Sequence, residues 1–112
     1  MFAMLMGLKS ISCRELHQRM QTAPVTVVDV NARQSWTRAR VPGAIHLGVD
    51  FDPAALPADR DAALVFYCSN PFCRKAPQAA KRAIALGYRD ARVMSAGITG
   101  WTSAKLPVDS GD

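Results

Sequence analysis

The sequence predicts an α/β domain with a central parallel sheet flanked by helices, and three observations carry that expectation. Residues 25–30 (Val-Thr-Val-Val-Asp-Val) and 63–67 (Ala-Leu-Val-Phe-Tyr) are short, almost continuously apolar runs, the pattern of strands buried on both faces. Each is followed by a segment with helical spacing. Strands that alternate with helices pair in parallel, because the crossover helices cover both faces of the sheet. The 112 residues show no composition shift that would mark a second domain. One domain is expected over residues 11–110, after an apolar N-terminal segment, residues 1–10.

The elements follow in order. Ser12-Cys13-Arg14-Glu15 reads as a capping box in which the Ser12 hydroxyl accepts from the Glu15 amide and the Glu15 carboxylate reaches back to the Ser12 amide. Ile11 and Leu16 flank it as a hydrophobic staple. A helix over residues 13–20 follows, with Leu16 and Met20 on its buried face, and Ala23-Pro24 ends it. The strand at 25–30 carries Asp29 near its end. A helical segment at 34–39 leads to the turn Val41-Pro42-Gly43 and a short strand at 44–47. Residues 51–61 contain Pro53 and Pro57, so a loop with at most one helical turn is expected. After the strand at 63–67, residues 74–86 place Ala76, Ala79, Ala80 and Ala83 at helical spacing, with Gly87 positioned to close the helix. Pro77 is compatible with that helix only in its first turn. A strand at 91–94 and a short helix after Gly97, Gly100 and Trp101 complete the domain.

Composition excludes several classes of function. With 49% hydrophobic and 21% charged residues, the chain is neither a disordered tail nor a charged coiled coil. The apolar residues 1–8 fall far short of the ~20 that span a bilayer, and they lack the basic flank and cleavage site of a secretory signal. A cytoplasmic protein with no membrane association is expected. Fourteen Lys and Arg against nine Asp and Glu give a net charge of +5. These bases are scattered and not interleaved with aromatic residues, so nucleic-acid binding is not expected. A small anionic substrate, steered by a positive field, accounts for the excess.

Three cysteines without a secretory context argue against a structural disulfide framework. Cys68 is the informative one, because it stands where a buried strand ends and the loop Ser69-Asn70-Pro71-Phe72-Cys73-Arg74 leads into a helix. Ligands of open α/β sheets bind beyond the carboxyl ends of the strands. Inward-pointing loop amides and the positive end of a helix form an anion nest there, with Arg74 and Lys75 adding charge and Arg33 or Arg40 contributing if the fold brings them near. Turning a thiol of ordinary acidity into one that is mostly thiolate at neutral pH requires about 2.7 kcal/mol of differential stabilisation. Cys68 is therefore the candidate nucleophile. Cys13, on a first helical turn, reads as a packing residue, and Cys73 as either a packing residue or a resolving thiol. His17, His46, Cys68 and Cys73 lack the paired close spacing of a zinc site, and the chain has no nucleotide-binding loop, so neither a metal nor a cofactor is expected.

Several ordered pieces together resemble a rhodanese-like domain: Ile11-Ser12 with the capped helix, Val27-Val28-Asp29-Val30, Val41-Pro42-Gly43-Ala44-Ile45, Val65-Phe66-Tyr67-Cys68, Ala79-Ala80 with Leu86-Gly87-Tyr88, Gly97-Ile98-Thr99-Gly100-Trp101, and Leu106-Pro107-Val108. The resemblance implies a three-layer fold and sulfur transfer through a persulfide on Cys68. A small anionic donor such as thiosulfate would supply the sulfur, and a thiol, cyanide or a protein thiol would accept it. It further implies that loop amides from Ser69 to Arg74 stabilise the persulfide and that Asp29 supports the site or caps the following helix. The chain departs from the family pattern in Asn31, where Arg is frequent, in Ala39-Arg40, where Gly-His is usual, and in a seven-residue loop without glycine. Its Cys-x5-Arg pattern also resembles phosphatases and arsenate reductases of the same fold. Pro71, which has no N–H to give an anion cradle, weighs against that alternative. A redox or binding module with a Cys68–Cys73 disulfide is the remaining one.

Overall fold

The two apolar runs become the neighbouring central strands of the sheet. The structure, a computed structural model, describes residues 7–112. Among these residues five strands, β1 (Lys9–Ser10), β2 (Thr26–Asp29), β3 (Ile45–His46), β4 (Ala63–Tyr67) and β5 (Asp90–Val93), form one sheet in the order β1-β5-β4-β2-β3. Every pairing of these strands is parallel. The register sets Val28 beside Phe66 and Ile45, and Asp29 beside Tyr67 and His46. Among the described residues four α-helices, α1 (Cys13–Thr22), α2 (Arg33–Arg38), α3 (Lys75–Ala85) and α4 (Gly97–Ser103), connect or flank the strands, with a 3-10 turn at Pro53–Ala55.

Side chains alternate across a strand, and this sorts the core into two layers. Leu64 and Phe66 of β4, Val28 of β2 and Val93 of β5 face α3, whose Ala76, Ala79, Ala80 and Ala83 let the helix lie close to the sheet. Val65 and Tyr67 of β4 and Val27 of β2 face the other way, against Leu16 of α1 and Trp101 of α4. Trp101 is fully buried and its indole N–H donates to the Pro107 carbonyl at 2.7 Å, which ties down the chain after α4. Burying each such large apolar side chain contributes roughly 1.5–3 kcal/mol, so the alternation enforces register strongly.

Local sequence signals explain the ends of the helices. The Ser12 hydroxyl accepts from the Glu15 amide at 3.1 Å, as a capping box requires. The Glu15 carboxylate differs from expectation: it takes the Ser12 hydroxyl at 3.3 Å rather than the Ser12 amide. Helix α1 runs two residues beyond the expected 13–20 and stops at Ala23, which precedes Pro24. Pro77 falls in the first turn of α3. At the other end Gly87 has φ +101°, its N–H meets the Ile84 carbonyl at 2.9 Å, and the Tyr88 N–H meets the Ala83 carbonyl at 3.2 Å. That pair of bonds is a Schellman closure, which needs a residue tolerant of positive φ.

Strand β1 has no counterpart in the expected elements. Two exposed residues carry no period-2 signal, and the strand exists because β5 offers an unpaired edge to Lys9 and Ser10. Part of the apolar N-terminal segment, residues 1–6, lies outside the described residues. No helix of the described residues is long and apolar enough to cross a membrane.

Replacing Gly87 with Ala, at a position held at positive φ, should lower stability by about 1–2 kcal/mol in urea unfolding while leaving the far-ultraviolet circular dichroism unchanged.

Candidate active site

Cys68 is the residue after β4, and it keeps the alternation of that strand. It therefore faces α3 together with Leu64 and Phe66, and it is only 3% exposed. The loop that follows has to return to the same face to begin α3, and it brings Cys73 back to Cys68. The two are joined as a disulfide with a Cα–Cα distance of 6.4 Å. Asn70 shapes this return. Its side-chain oxygen accepts from the Phe72 amide at 2.9 Å, and its carbonyl accepts from the Cys73 amide at 3.2 Å. Asn is suited to such a turn because its short side chain imitates a backbone acceptor.

The loop is anchored from the opposite layer. The Cys68 carbonyl accepts from the Ile98 amide at 2.9 Å and the Ser69 carbonyl from the Thr99 amide at 3.0 Å, so the first turn of α4 grips the chain on both sides of the Cys68–Ser69 peptide. This close approach requires Gly97. A Cβ there would lie 2.5 Å from the Ser69 carbonyl carbon and 2.7 Å from the Asn70 nitrogen, and Gly97 itself has φ +67°.

Behind the loop lies a buried polar network. Asp29, at the end of β2, is fully buried. It accepts the Tyr67 hydroxyl at 2.6 Å and the Asn31 amide at 2.8 Å. The Tyr67 hydroxyl in turn accepts from the Val41 amide at 3.1 Å. Burial pushes the Asp29 carboxyl above the usual carboxylate range, against the opposing pull of the Tyr67 hydroxyl, the Asn31 amide and His46. The Tyr67 phenol is raised as well, first by burial and then by the Asp29 charge. Asn31 continues the network: its carbonyl meets His46 Nε2 at 2.7 Å, and its side-chain oxygen accepts the Ser69 hydroxyl at 2.7 Å. Its Nδ2 is buried without a protein partner. The chain leaves β2 toward β3 and leaves β4 toward β5, so the Asn31–Ser69 bond lies where the topology diverges.

The structure gathers some of the expected site residues and separates others. Cys68, Asn70, Pro71 and Cys73 line one small cavity with Val93, Met94 and Ser95, with about 10 Å³ of room. Ser69 turns away toward Asn31. Phe72 stands outward, 67% exposed. Arg74 and Lys75 are exposed at the start of α3, Arg74 as its N-cap residue. Asp29 reaches the loop through Asn31, and it bonds the Asn31 amide just ahead of the α2 cap residue, Ala32. Arg40 is directed elsewhere. Its guanidinium stacks 3.8 Å from the Trp36 ring centroid and donates to the carbonyls of Trp36 at 3.1 Å and Gly111 at 2.7 Å. Of the loop amides expected to face an anion, those of Phe72 and Cys73 donate to Asn70 in this disulfide form.

Sequence reasoning did not single out Gly97, Tyr67 or the Asn31–Ser69 pair as parts of the site. A groove of about 340 Å³ on the other side of Ser69, lined by Arg38, Ser35, Thr99 and Thr102 among others, was likewise not anticipated. Cys13, the first residue of α1, is a free thiol buried against α4, raised in pKa by that burial. Among the described residues no group of three or more His, Cys, Asp and Glu side chains is placed to hold a metal ion.

The family model described as Rhodanese-like domain matches residues 12–104. A curated relative, the HTH-type transcriptional regulator Rv0324 of Mycobacterium tuberculosis, is 34% identical over 108 residues, covering 91% of this chain and 45% of that protein. The chain thus spans less than half the length of that relative. Among solved structures, the BH2092 protein from Bacillus halodurans superposes with a TM-score of 0.80 at 21% identity, covering 91% of this chain and 77% of that one. A rhodanese-like domain protein from Staphylococcus aureus gives 0.70 at 23% identity, with 84% and 91% covered. A rhodanese with anions from E. coli gives 0.66 at 20% identity, with 79% and 100% covered. These structural likenesses are likenesses of fold.

Two measurements test the site's supports. Gly97→Ala should destabilise the fold by roughly 1–3 kcal/mol in urea, because the loop backbone must move or α4 must shift. The Asp29 carboxyl is raised above its unfolded value, so the stability it contributes is complete in acid and is lost as pH rises through its folded value. The stability difference between wild type and Asp29→Asn should therefore be largest in acid and shrink as pH rises out of the ordinary carboxylate range. A difference that grows with pH would overturn that assignment.

Proposed function

The chain belongs to the rhodanese-like domain family, a family of sulfurtransferase type, and from that premise we propose that it transfers a sulfane sulfur through a persulfide on Cys68. The observation that carries the proposal is the placement of Cys68. It immediately follows a central strand of the parallel sheet, at the divergence point, beside a small cavity that its own loop covers.

The chemistry runs from this placement. A Cys68 thiolate attacks the outer sulfur of thiosulfate, the sulfur–sulfur bond breaks, and sulfite leaves with the bonding electrons. The persulfide left on Cys68 then passes its outer sulfur to a thiol, cyanide or protein-thiol acceptor. The chain's scattered excess of positive charge draws in the anionic donor. Ser69, Asn70, Arg74 and Lys75 are the parts of the loop and helix start proposed to receive it. Asp29 is a positioning residue, acting on the loop through Asn31 and Ser69.

Phosphatase or arsenate chemistry on the Cys-x5-Arg loop fits the geometry less well. A tetrahedral oxyanion needs converging loop donors; here Pro71 has none, and the Phe72 and Cys73 amides are turned onto Asn70. A redox or binding module is the second reading. The Cys68–Cys73 disulfide favours it, as does kinship with a protein named as a transcriptional regulator.

Sulfite release separates these readings. Reduced wild-type protein mixed with thiosulfate should release sulfite, and Cys68→Ser should lose at least ~100-fold of that rate. A wild type that yields no sulfite, or a Cys68→Ser variant that yields as much, would overturn sulfur transfer; a reduced protein that forms its disulfide but takes no sulfur would select the redox module.

A further inference from the structure

Cys73 has a place in the structure that a purely external acceptor does not explain. The Cys68 sulfur is directed into the α3 layer by strand alternation and is nearly sealed there. The space beside it, about 10 Å³, holds a group of about the size of one water. In this disulfide form any external group larger than a water, donor or thiol acceptor alike, must displace the loop to reach this sulfur, and in the reduced protein each has to enter from solvent. Cys73 needs no such entry, because the Asn70 turn carries it into bonding contact with Cys68.

We propose that Cys73 is the resolving thiol for Cys68, so that the chain reduces a captured sulfane sulfur to sulfide and closes on the Cys68–Cys73 disulfide, which a dithiol then reopens. This deepens the sulfur-transfer reading and rests on it, since Cys68 must first take up the sulfur. Loading leaves Cys68 as a persulfide and releases sulfite. The Cys73 thiol gives its proton to the outer sulfur, and the resulting thiolate attacks Cys68 Sγ. The bond between Sγ and the outer sulfur breaks, and the outer sulfur leaves with the electron pair as hydrosulfide. The sulfane sulfur has gained two electrons, and the two cysteines have lost two in forming their disulfide. A dithiol restores both thiols and is itself oxidised to a disulfide.

The geometry also orders the reset step. Cys73 is the more accessible of the two sulfurs' residues, half-buried beside the exposed Phe72, whereas Cys68 is buried. The incoming thiolate therefore attacks Cys73, and Cys68 leaves as the thiolate, ready for the next donor. An attacking thiol already held beside its target has the advantage of an intramolecular nucleophile over a dissolved one.

A single-turnover experiment tests this. Reduced protein freed of reductant is mixed with thiosulfate, sulfite and sulfide are measured, and the chain is weighed by mass spectrometry. Wild type should release sulfite and sulfide in equal amounts, end as the Cys68–Cys73 disulfide, and turn over again only when dithiothreitol is added. Cys73→Ser and Cys73→Ala should accumulate one extra sulfur atom on Cys68, with sulfide release slowed roughly 100-fold or more until an external thiol is supplied. Sulfide release at the wild-type rate from both variants, or a wild type that rests with a lasting extra sulfur on Cys68, would overturn the role of Cys73 and leave sulfur transfer standing. No sulfite from wild type would remove the underlying reading and this one with it.

Discussion

The two-sided burial of β4 is the constraint on which the rest of the molecule depends. Leu64 and Phe66 must enter the α3 layer, and Val65 and Tyr67 the layer of α1 and α4. A slip of one residue would exchange the two sets and expose each to the wrong partners. Because several side chains enforce the register together, at roughly 1.5–3 kcal/mol each, the residue after the strand has no freedom of its own. Cys68 inherits its direction from Leu64 and Phe66. The sulfur is thereby committed to the face on which the following loop lands, and the meeting with Cys73 follows.

The loop around the sulfur is held from three directions. The first turn of α4 binds the Cys68 and Ser69 carbonyls, Asn70 organises the return to α3, and Asn31 receives the Ser69 hydroxyl. Asp29 stands behind the last of these and also behind Tyr67, whose hydroxyl reaches the Val41 amide. One buried carboxylate thus ties together the end of β2, the end of β4 and the turn before β3. Such a group is costly unless it is hydrogen-bonded, and here each bond also positions a segment near the site. Arg40 serves a different purpose, clamping the C-terminal residues through Trp36 and Gly111.

This arrangement accounts for what was legible in the residues and what was not. Strand β4 and the alanine face of α3 were readable because a continuous apolar run marks the one and helical spacing the other, each within a few residues. The capping box and the Gly87 closure were readable because their bonds join residues three to five apart. Cys68 stood out because a thiol at the end of a buried strand is chemically conspicuous. Strand β1 was hidden, since its two residues pair only because a distant edge is vacant. Gly97 read as a turn glycine; its real demand comes from Ser69 and Asn70, twenty-eight and twenty-seven residues away in the chain.

The sequence by itself determined the class of fold, which runs of residues form its central strands and apolar helix faces, and the residue named as candidate nucleophile. These follow from local periodicity and from the intrinsic chemistry of residue types, which require no knowledge of remote neighbours. Only the tertiary structure decided that the Phe72 and Cys73 amides turn to Asn70, that Arg40 faces the C-terminal residues, and that Asn31 receives the Ser69 hydroxyl. The physical reason is directional: hydrogen bonds and thiol contacts depend on where two segments meet and at what angle, and that meeting is arranged by the packing of the whole sheet.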